Sequence, residues 1–401
     1  MPREEPPPEM GRSLLTRTFK AFIESEKAGG FVLLGCTVLS LLLANSPWGE
    51  GWIELWHVEV AGRSIEHWIN DGLMAVFFLL IGLELERELY VGELSDAKRA
   101  LLPVLAAVGG VALPALIHLS LNVGTPTQAG MGIPMATDIA FALGVLALLG
   151  DRIPSSLKVF LVALAVIDDL VAIIVIAVFY ATDISFGYLA GALGVFSVLG
   201  ILNRVRVTAM PPYLVGGVAM WLLMASSGVH ATITGVLLAF AVPFPAGGDG
   251  KESPSHRLEL ALHRPVAFLI LPAFALANTA IVLDADSLAG LTTTNGVGIV
   301  AGLLLGKPLG IVLASVVAVR SGLCRLPGDI GWRHVAGAGM LGGIGFTMSI
   351  FITNLAFADN ADLVTASKLS ILLASLTAGV VGYTWLLLCR DGGEPEGSGE
   401  S

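Results

Sequence analysis

Asp168 and Asp169 stand side by side at the midpoint of an apolar run, 156–181. Asp138 lies just short of the middle of a second run, 131–150, and Lys307 at the midpoint of a third, 295–319. A charge held in hydrocarbon costs at least about 2.5–3.5 kcal/mol on insertion scales, so each of these residues needs a chemical reason to be there. Neighbouring side chains on a helix point about 100° apart, and the two adjacent aspartates therefore cannot share one face. One would line a cavity while the other meets a partner on another helix, and their protons would titrate as a coupled pair. The plainer reading of the same residues is a buried ion pair that only fastens helices together.

Asp138 closes the stretch Gly132-Ile133-Pro134-Met135-Ala136-Thr137-Asp138. Pro134 removes a backbone donor and Gly132 weakens the turn, so a helix is expected to break here. A break at this depth is tolerated where its backbone lines a cavity or is covered by protein. The Thr137 hydroxyl, the Asp138 carboxylate and the freed carbonyls are then hard oxygen ligands suited to a small alkali cation. A proline kink with Asp138 at a helix end is the alternative. A second interruption is expected within 334–357, where Gly337, Gly339, Gly342, Gly343 and Gly345 precede Phe346-Thr347-Met348-Ser349. Such glycines also permit close helix packing. Two interrupted spans in corresponding places fit an inverted-repeat transporter, with 100–181 and 295–388 as the repeats. Lys307 would neutralise the carboxylates or the negative C-terminal ends of the broken helices. Gly302 to Lys307 is one residue short of a phosphate loop, with Pro308 where Ser or Thr is required, so that reading fails.

The elements that must position these groups are membrane-crossing helices. Of 401 residues, 13% are Asp, Glu, Lys or Arg and 55% are hydrophobic before the 48 glycines are counted. Mean hydropathy is +0.82, and soluble domains carry about 25% charged residues. Twelve stretches approach the roughly 20 residues needed to cross a bilayer. They are 28–45, 68–88, 100–121, 131–150, 156–181, 186–203, 211–227, 230–244, 261–283, 295–319, 334–357 and 364–388. The short eighth stretch leaves a count of eleven open.

Numbering the gaps alternately from an inside N-terminus puts all but three of the 22 Lys and Arg residues inside. Arg63 alone falls outside, while Lys307 and Lys368 fall within spans. Both termini are thus expected in the cytoplasm. Residues 1–27 read as a cytoplasmic tail, 28–388 as a single transmembrane domain and 389–401 as a disordered tail. Pro245 to His256 reads as a flexible break between halves, and Trp52 to Arg63 as an outer hairpin around Ala61-Gly62. A formal net charge of −10 argues against a nucleic-acid partner. Three scattered cysteines imply neither zinc nor a disulfide framework.

Charges also gather at the span ends. Asp71, Glu84, Glu86, Arg87 and Glu88 flank the second span, and Glu259 and His263 lie near the start of the ninth. Interfacial charges are ordinarily solvated. A funnel mouth that senses pH is the sharper reading, with Asp71 placed for ion entry. His230, after Ser226-Ser227-Gly228-Val229, reads as a hydrogen-bonding residue at a helix end rather than a metal ligand.

Several of these stretches carry a resemblance. Ile69-Asn70-Asp71 with Met74 to Leu80, Gly82-Leu83-Glu84, Ala136 to Gly150, Ile167-Asp168-Asp169-Leu170, Ser227 to Ala231, Gly306 to Gly310 and Gly345 to Phe351 resemble the NhaA-type Na+/H+ antiporters of bacteria. The likeness runs in order from about residue 14 to 390. That family is among the cases from which the inverted-repeat rule is drawn, so the layout is not independent of it. The resemblance implies an all-α polytopic membrane protein with twelve transmembrane helices, inverted-topology repeats, and discontinuous, crossing fourth and eleventh helices. It implies that Asp169 and Asp138 bind ion and protons beside Thr137, and that Thr347 and Gly345 belong to an unwound stretch. Asp168 would pair with Lys307, itself a candidate proton carrier. Glu84, Arg87, Glu88, Glu259 and His230 fall where the family's pH-response residues lie. Leu260 and His256 depart from the enteric pattern, which has His and Lys there, and leave the pH set-point open. The resemblance further implies a homodimer joined through the outer hairpin, a place in the bacterial inner membrane, no cofactor, and Na+, Li+ and H+ as the transported ions.

The expected activity is electrogenic antiport, Na+ or Li+ leaving in exchange for more than one H+, and not an enzymatic reaction. A sodium-coupled organic anion symporter of related fold is the alternative, although few polar residues are available for its substrate pocket. An intramembrane aspartyl protease would need a Gly-x-Gly-Asp signature that is missing, and Asp168 and Asp169 are too close to act from two helices.

Overall fold

The computed structural model describes residues 28–181, 183–244 and 253–389. The two expected tails, apart from Cys389, and most of the expected break from Pro245 to His256 lie outside them. In chain order the elements are α1 (Ala28–Ala44), α2 (Gly49–His57), β1 (Glu59–Val60), β2 (Arg63–Ser64), α3 (Ile65–Tyr90), α4 (Lys98–Asn122) and α5 (Ile139–Leu148). There follow α6 (Ser155–Phe179), α7 (Phe186–Arg204), α8 (Met210–Ala225), α9 (Ile233–Ala241) and α10 (Pro254–Asn278). The chain continues through α11 (Ala285–Gly290), α12 (Thr294–Arg320), α13 (Trp332–Gly342), α14 (Phe346–Ala356) and α15 (Ala361–Leu388). Every apolar stretch read from the sequence is occupied by helix.

Among the described residues, α3, α4, α6, α7, α10, α12 and α15 are each long and apolar enough to cross a membrane unaided. Three further helix pairs qualify only together, α1 with α2 bent at 115° and two others bent near their middles. A 3-10 segment, Pro126–Met135, meets α5 at 41°, and α13 meets α14 at 44°. Pro134 and the glycines before Phe346 thus do what their chemistry predicts. The stretches at 211–227 and 230–244 are separate helices, α8 and α9, divided by a turn at Gly228, whose φ of 81° is left-handed. Leu193, Val198 and Ile201 on α7 and Val215 and Val218 on α8 face outward, as a hydrocarbon surrounding requires.

The hairpin is shorter than the sequence suggests. Glu59–Val60 pairs with Arg63–Ser64 around Ala61 (φ 54°) and Gly62 (φ 82°), two positive-φ positions typical of a tight hairpin turn. Trp52 to His57 instead belong to α2. Trp52 and Trp56, one helical turn apart, pack edge to face at 5.1 Å, and Trp52 Nε1 donates to Ser40 Oγ at 3.1 Å. Aromatic pairing at this spacing favours helix over strand.

The centre of the bundle is set by α4 crossing α12, the first members of the two expected repeats. A Cβ on Gly109 would strike the Gly310 carbonyl, and a Cβ on Gly310 the Gly109 carbonyl, so the two backbones touch directly. Overpacking a site of this kind costs about 1–3 kcal/mol. Gly310→Val is therefore expected to lower the melting temperature of the detergent-solubilised protein. Gly187→Ala, on α7 with nothing within 4 Å of the added carbon, is not. Thermal unfolding of the two variants side by side checks this.

Candidate functional site

The two breaks meet. Asp138 N–H donates to the Ile344 carbonyl at 2.6 Å, and Ser349 Oγ to the Ile133 carbonyl at 2.7 Å. Asp138 is the N-cap of α5, its Oδ1 accepting from Phe141 N–H at 2.9 Å. Its Oδ2 accepts from the Thr347 N–H at 3.1 Å and from Thr347 Oγ1 at 2.6 Å. One carboxylate therefore caps two half-helices, where free N–H groups and the positive end of each helix dipole favour negative charge. Asp138 thus sits at a helix end, within an interrupted span. Gly345 is the N-cap position of α14, and Thr347 lies in the first turn of that helix rather than in the unwound stretch expected of it, its N–H and hydroxyl facing Asp138.

The opposite ends of the half-helices are handled by Lys307 and Thr137. Lys307 lies just after a π-helical stretch, Gly302–Gly306, a local widening often found at functional sites. Its fully buried Nζ donates to the Met135 carbonyl, at the end of the 3-10 segment, and to Asp168 Oδ2 at 2.5 Å. The ammonium thus serves both partners foreseen for it, a carboxylate and a helix C-terminal end. Thr137 Oγ1 lies 2.8 Å from Asp168 Oδ2 and 2.9 Å from the Gly342 carbonyl, at the end of α13.

Asp169 is treated differently. It is 1% exposed, within Coulombic range of Asp168, Asp138 and Lys307, and its Oδ1, like Asp168 Oδ1, has no hydrogen-bond partner; the ion pair with Lys307 belongs to Asp168. The roughly 100° between adjacent helical side chains separates the two: Asp168 meets Lys307 on α12, while Asp169 has Asp168, Asp138 and Lys307 as its charged neighbours. Three carboxylates and one ammonium share this region. Burial of unbalanced charge is costly enough that it must be met by a proton or a cation. Hard carboxylate and carbonyl oxygens suit an alkali cation.

The remaining predicted residues fall into two groups away from the break. At one end of α3, Glu84, Glu86 and Glu88 are buried rather than solvated, as is Glu259 on α10. Arg87 Nε donates to Glu259 Oε1 at 2.9 Å, and its Nη1 reaches Glu88 Oε1 at 2.9 Å. His256 Nδ1 lies 3.2 Å from Glu259 Oε2, and Ser255 Oγ donates to Glu86 Oε2 at 2.7 Å. At the other end of α3, beside the hairpin, Asp71 lies 3.2 Å from His67 and 4.0 Å from Arg63. Asp71 therefore does not join the Glu84–Glu88 group. His230 Nε2 sits 2.9 Å from the Tyr180 carbonyl, the helix-end hydrogen bond expected of it.

Some buried polar residues were not singled out from the sequence. Lys368, in sequence only a charge within a span, contacts Glu66 and Asn278. His118, Asn295 and Ser367 form a second buried chain. Amides inside apolar spans were the available signal, since a buried amide must find partners.

A family model described as Na+/H+ antiporter 1 matches residues 20–386. The chain belongs to that family. The Na+/H+ antiporter NhaA of Dechloromonas aromatica is 64% identical over 93% of this chain and 96% of its own length. An antiporter of the same name from Vibrio cholerae is 50% identical over 92% of this chain and 96% of its own. A solved structure of the sodium proton antiporter MjNhaP1 from Methanocaldococcus jannaschii matches with a TM-score of 0.54 at 15% identity, covering 94% of this chain and all of that one. That likeness speaks for the fold alone. As a member of the antiporter family, the chain is a multi-pass bacterial membrane protein.

Removing one partner of a buried ion pair leaves the other charge uncompensated, at a cost of about 3–5 kcal/mol. Lys307→Ala is expected to destabilise the folded protein strongly, and adding Asp168→Asn to restore much of the loss. A double-mutant cycle read by thermal unfolding in detergent checks this; additive losses would show that the pair is not coupled.

Proposed function

We propose that the chain exchanges Na+ for H+ across the bacterial cytoplasmic membrane through the carboxylates at the two helix breaks. It is a secondary transporter, not an enzyme, and Na+ and H+ are its cargo; no cofactor takes part. The single observation that carries the mechanism is Asp169, a buried carboxylate among other acids with an unpartnered oxygen. Asp138 accepts with both oxygens and Asp168 with Oδ2 alone, its Oδ1 being as unpartnered as that of Asp169. Asp168 is offset by the Lys307 ammonium whereas Asp169 pairs with no cationic side chain among the described residues, so the Asp169 charge is the natural seat for an exchangeable cation or proton. Asp138 and Thr137 complete the oxygen set, and Thr347 holds Asp138 in place. Lys307 offsets Asp168, and if it also releases its proton it adds to the exchange.

The charge count supports more than one H+ per Na+. When ionised, Asp138, Asp168 and Asp169 outweigh Lys307 by two charges. Two protons neutralise the site, whereas one Na+ leaves a negative charge behind. Replacing the first state by the second therefore moves net charge, which makes the exchange electrogenic and drives Na+ or Li+ outward against entering protons. Competition at one seat follows, because the same oxygens hold either cargo.

Helix in each of the twelve apolar stretches supports twelve crossings, the inward bias of Lys and Arg supports cytoplasmic termini, and the paired breaks support inverted repeats over 100–181 and 295–388 as one transmembrane domain. The Arg87 end then faces the cytoplasm, where Glu84, Arg87, Glu88 and Glu259 surround the entrance and respond to pH. His230 and Asp71 belong to the opposite end, where Asp71 meets ions and the hairpin joins two copies into a homodimer. The names of the relatives speak for Na+/H+ exchange and leave the organic anion symporter unsupported.

Asp169→Asn keeps the size of the side chain and removes its exchangeable charge. In everted vesicles carrying this variant, NaCl is expected to produce little or no dequenching of a pH-sensitive dye, against a full response from the unmodified protein. A normal response would sink the assignment. Sodium binding to the unmodified protein is expected to release protons, read in calorimetry as a heat that varies with the ionisation enthalpy of the buffer.

A further inference from the structure

At the hairpin end of the bundle, Asn278 on α10 makes every hydrogen bond its amide allows. Its Nδ2 donates to Asn70 Oδ1 at 2.8 Å and to the Phe274 carbonyl at 3.0 Å. Its Oδ1 accepts from Asn354 Nδ2 at 2.7 Å and from Lys368 Nζ at 3.1 Å. Two donors and two lone pairs are all used. Lys368 also lies 3.7 Å from Glu66 Oε1. Asn278 and Lys368 are buried, so each of these contacts is made with little competition from water.

The partners come from both sides of one seam. Glu66 and Asn70 on α3 and Asn278 on α10 lie outside the two repeats, whereas Asn354 on α14 and Lys368 on α15 lie in the second. The first repeat is tied to the rest at the same end, through His230 and the carbonyl of Tyr180. By contrast, the Arg87–Glu259 and Ser255–Glu86 bonds at the far end join α3 to α10, both outside the repeats. Asn354 also follows Thr347, the residue that bonds Asp138, by seven positions on the same helix. Seven residues are two turns, so Asn354 lies on the same face of α14 roughly 10 Å nearer the hairpin end. The cluster thus stands in line with the carboxylate site, above it, and carries the positive charge of Lys368.

From this we infer that Glu66, Asn70, Asn278, Asn354 and Lys368 form a latch that closes the hairpin-side route to the site and must open in each transport cycle. The inference rests on the antiport reading, in which one bundle moves against the other around a fixed site. A cation leaving past a closed latch would meet the Lys368 ammonium and an amide with no free oxygen. With the seam parted, the oxygens of Asn278 and Glu66 are released to face it.

The test locks the latch shut. In a chain with Cys36, Cys324 and Cys389 changed to serine, Asn278→Cys and Asn354→Cys are introduced together and bridged by a short bifunctional thiol reagent cleavable by reductant. Bridging is expected to lower Na+-driven proton exchange in proteoliposomes by about tenfold or more, the mark of a blocked step in the cycle. Reductant is expected to restore it, while Na+ still binds the bridged protein in calorimetry. Glu66→Cys with Lys368→Cys provides a second pair should the first fail to fold. Undiminished exchange in a bridged pair overturns the latch and leaves the antiport reading standing. Absence of Na+-driven exchange in the unmodified chain would instead overturn the antiport reading itself.

Discussion

Negative charge that the protein cannot fully offset from its own side chains governs the arrangement at the centre of the bundle. Three carboxylates are drawn into a region of low polarity with a single ammonium. The two helix breaks make that tolerable. Their N-terminal ends supply N–H donors and positive dipole ends to Asp138, while their C-terminal ends supply carbonyls that take up the Lys307 and Thr137 donors. An unbroken pair of helices would satisfy its own backbone and have nothing to offer. The breaks are therefore the means by which the backbone itself takes part in balancing the charge.

That constraint also explains the packing around the site. Half-helices meeting end to end need neighbours close enough to cover their exposed polar groups. Backbone contact at Gly109 and Gly310 brings α4 and α12 together, and α12 carries Lys307 to within reach of both Met135 and Asp168. The close approach and the ion pair are two consequences of one crossing. The charged groups at the ends of α3 obey a different rule: Arg87, Glu259 and His256 bond among themselves across α3 and α10.

Much of this was legible in the residues. Pro134 and the glycines before Phe346 announce interruptions because their backbone chemistry is local. The adjacency of Asp168 and Asp169 announces unequal partners because helical geometry is fixed. Residues whose meaning depends on tertiary approach were not legible. Asn278 carries no local sign that three partners from distant segments converge on it, and Lys368 looks like a stray charge until Glu66 is placed beside it. In Trp52 to His57, alternation and helical spacing are hard to separate over so few residues, and the Trp52–Trp56 contact favours helix. The burial of Glu84, Glu86 and Glu88 was likewise hidden, since end-of-span acids are ordinarily wet.

The double cap made by Asp138 has a mechanical side. Its two oxygens hold the first turns of α5 and α14, which come from separate halves of the chain. Charge-assisted bonds weaken when the acceptor loses its charge. A proton or metal settling on this one group would loosen both grips together, and news of occupancy would reach the two halves in a single stroke, without any messenger between them.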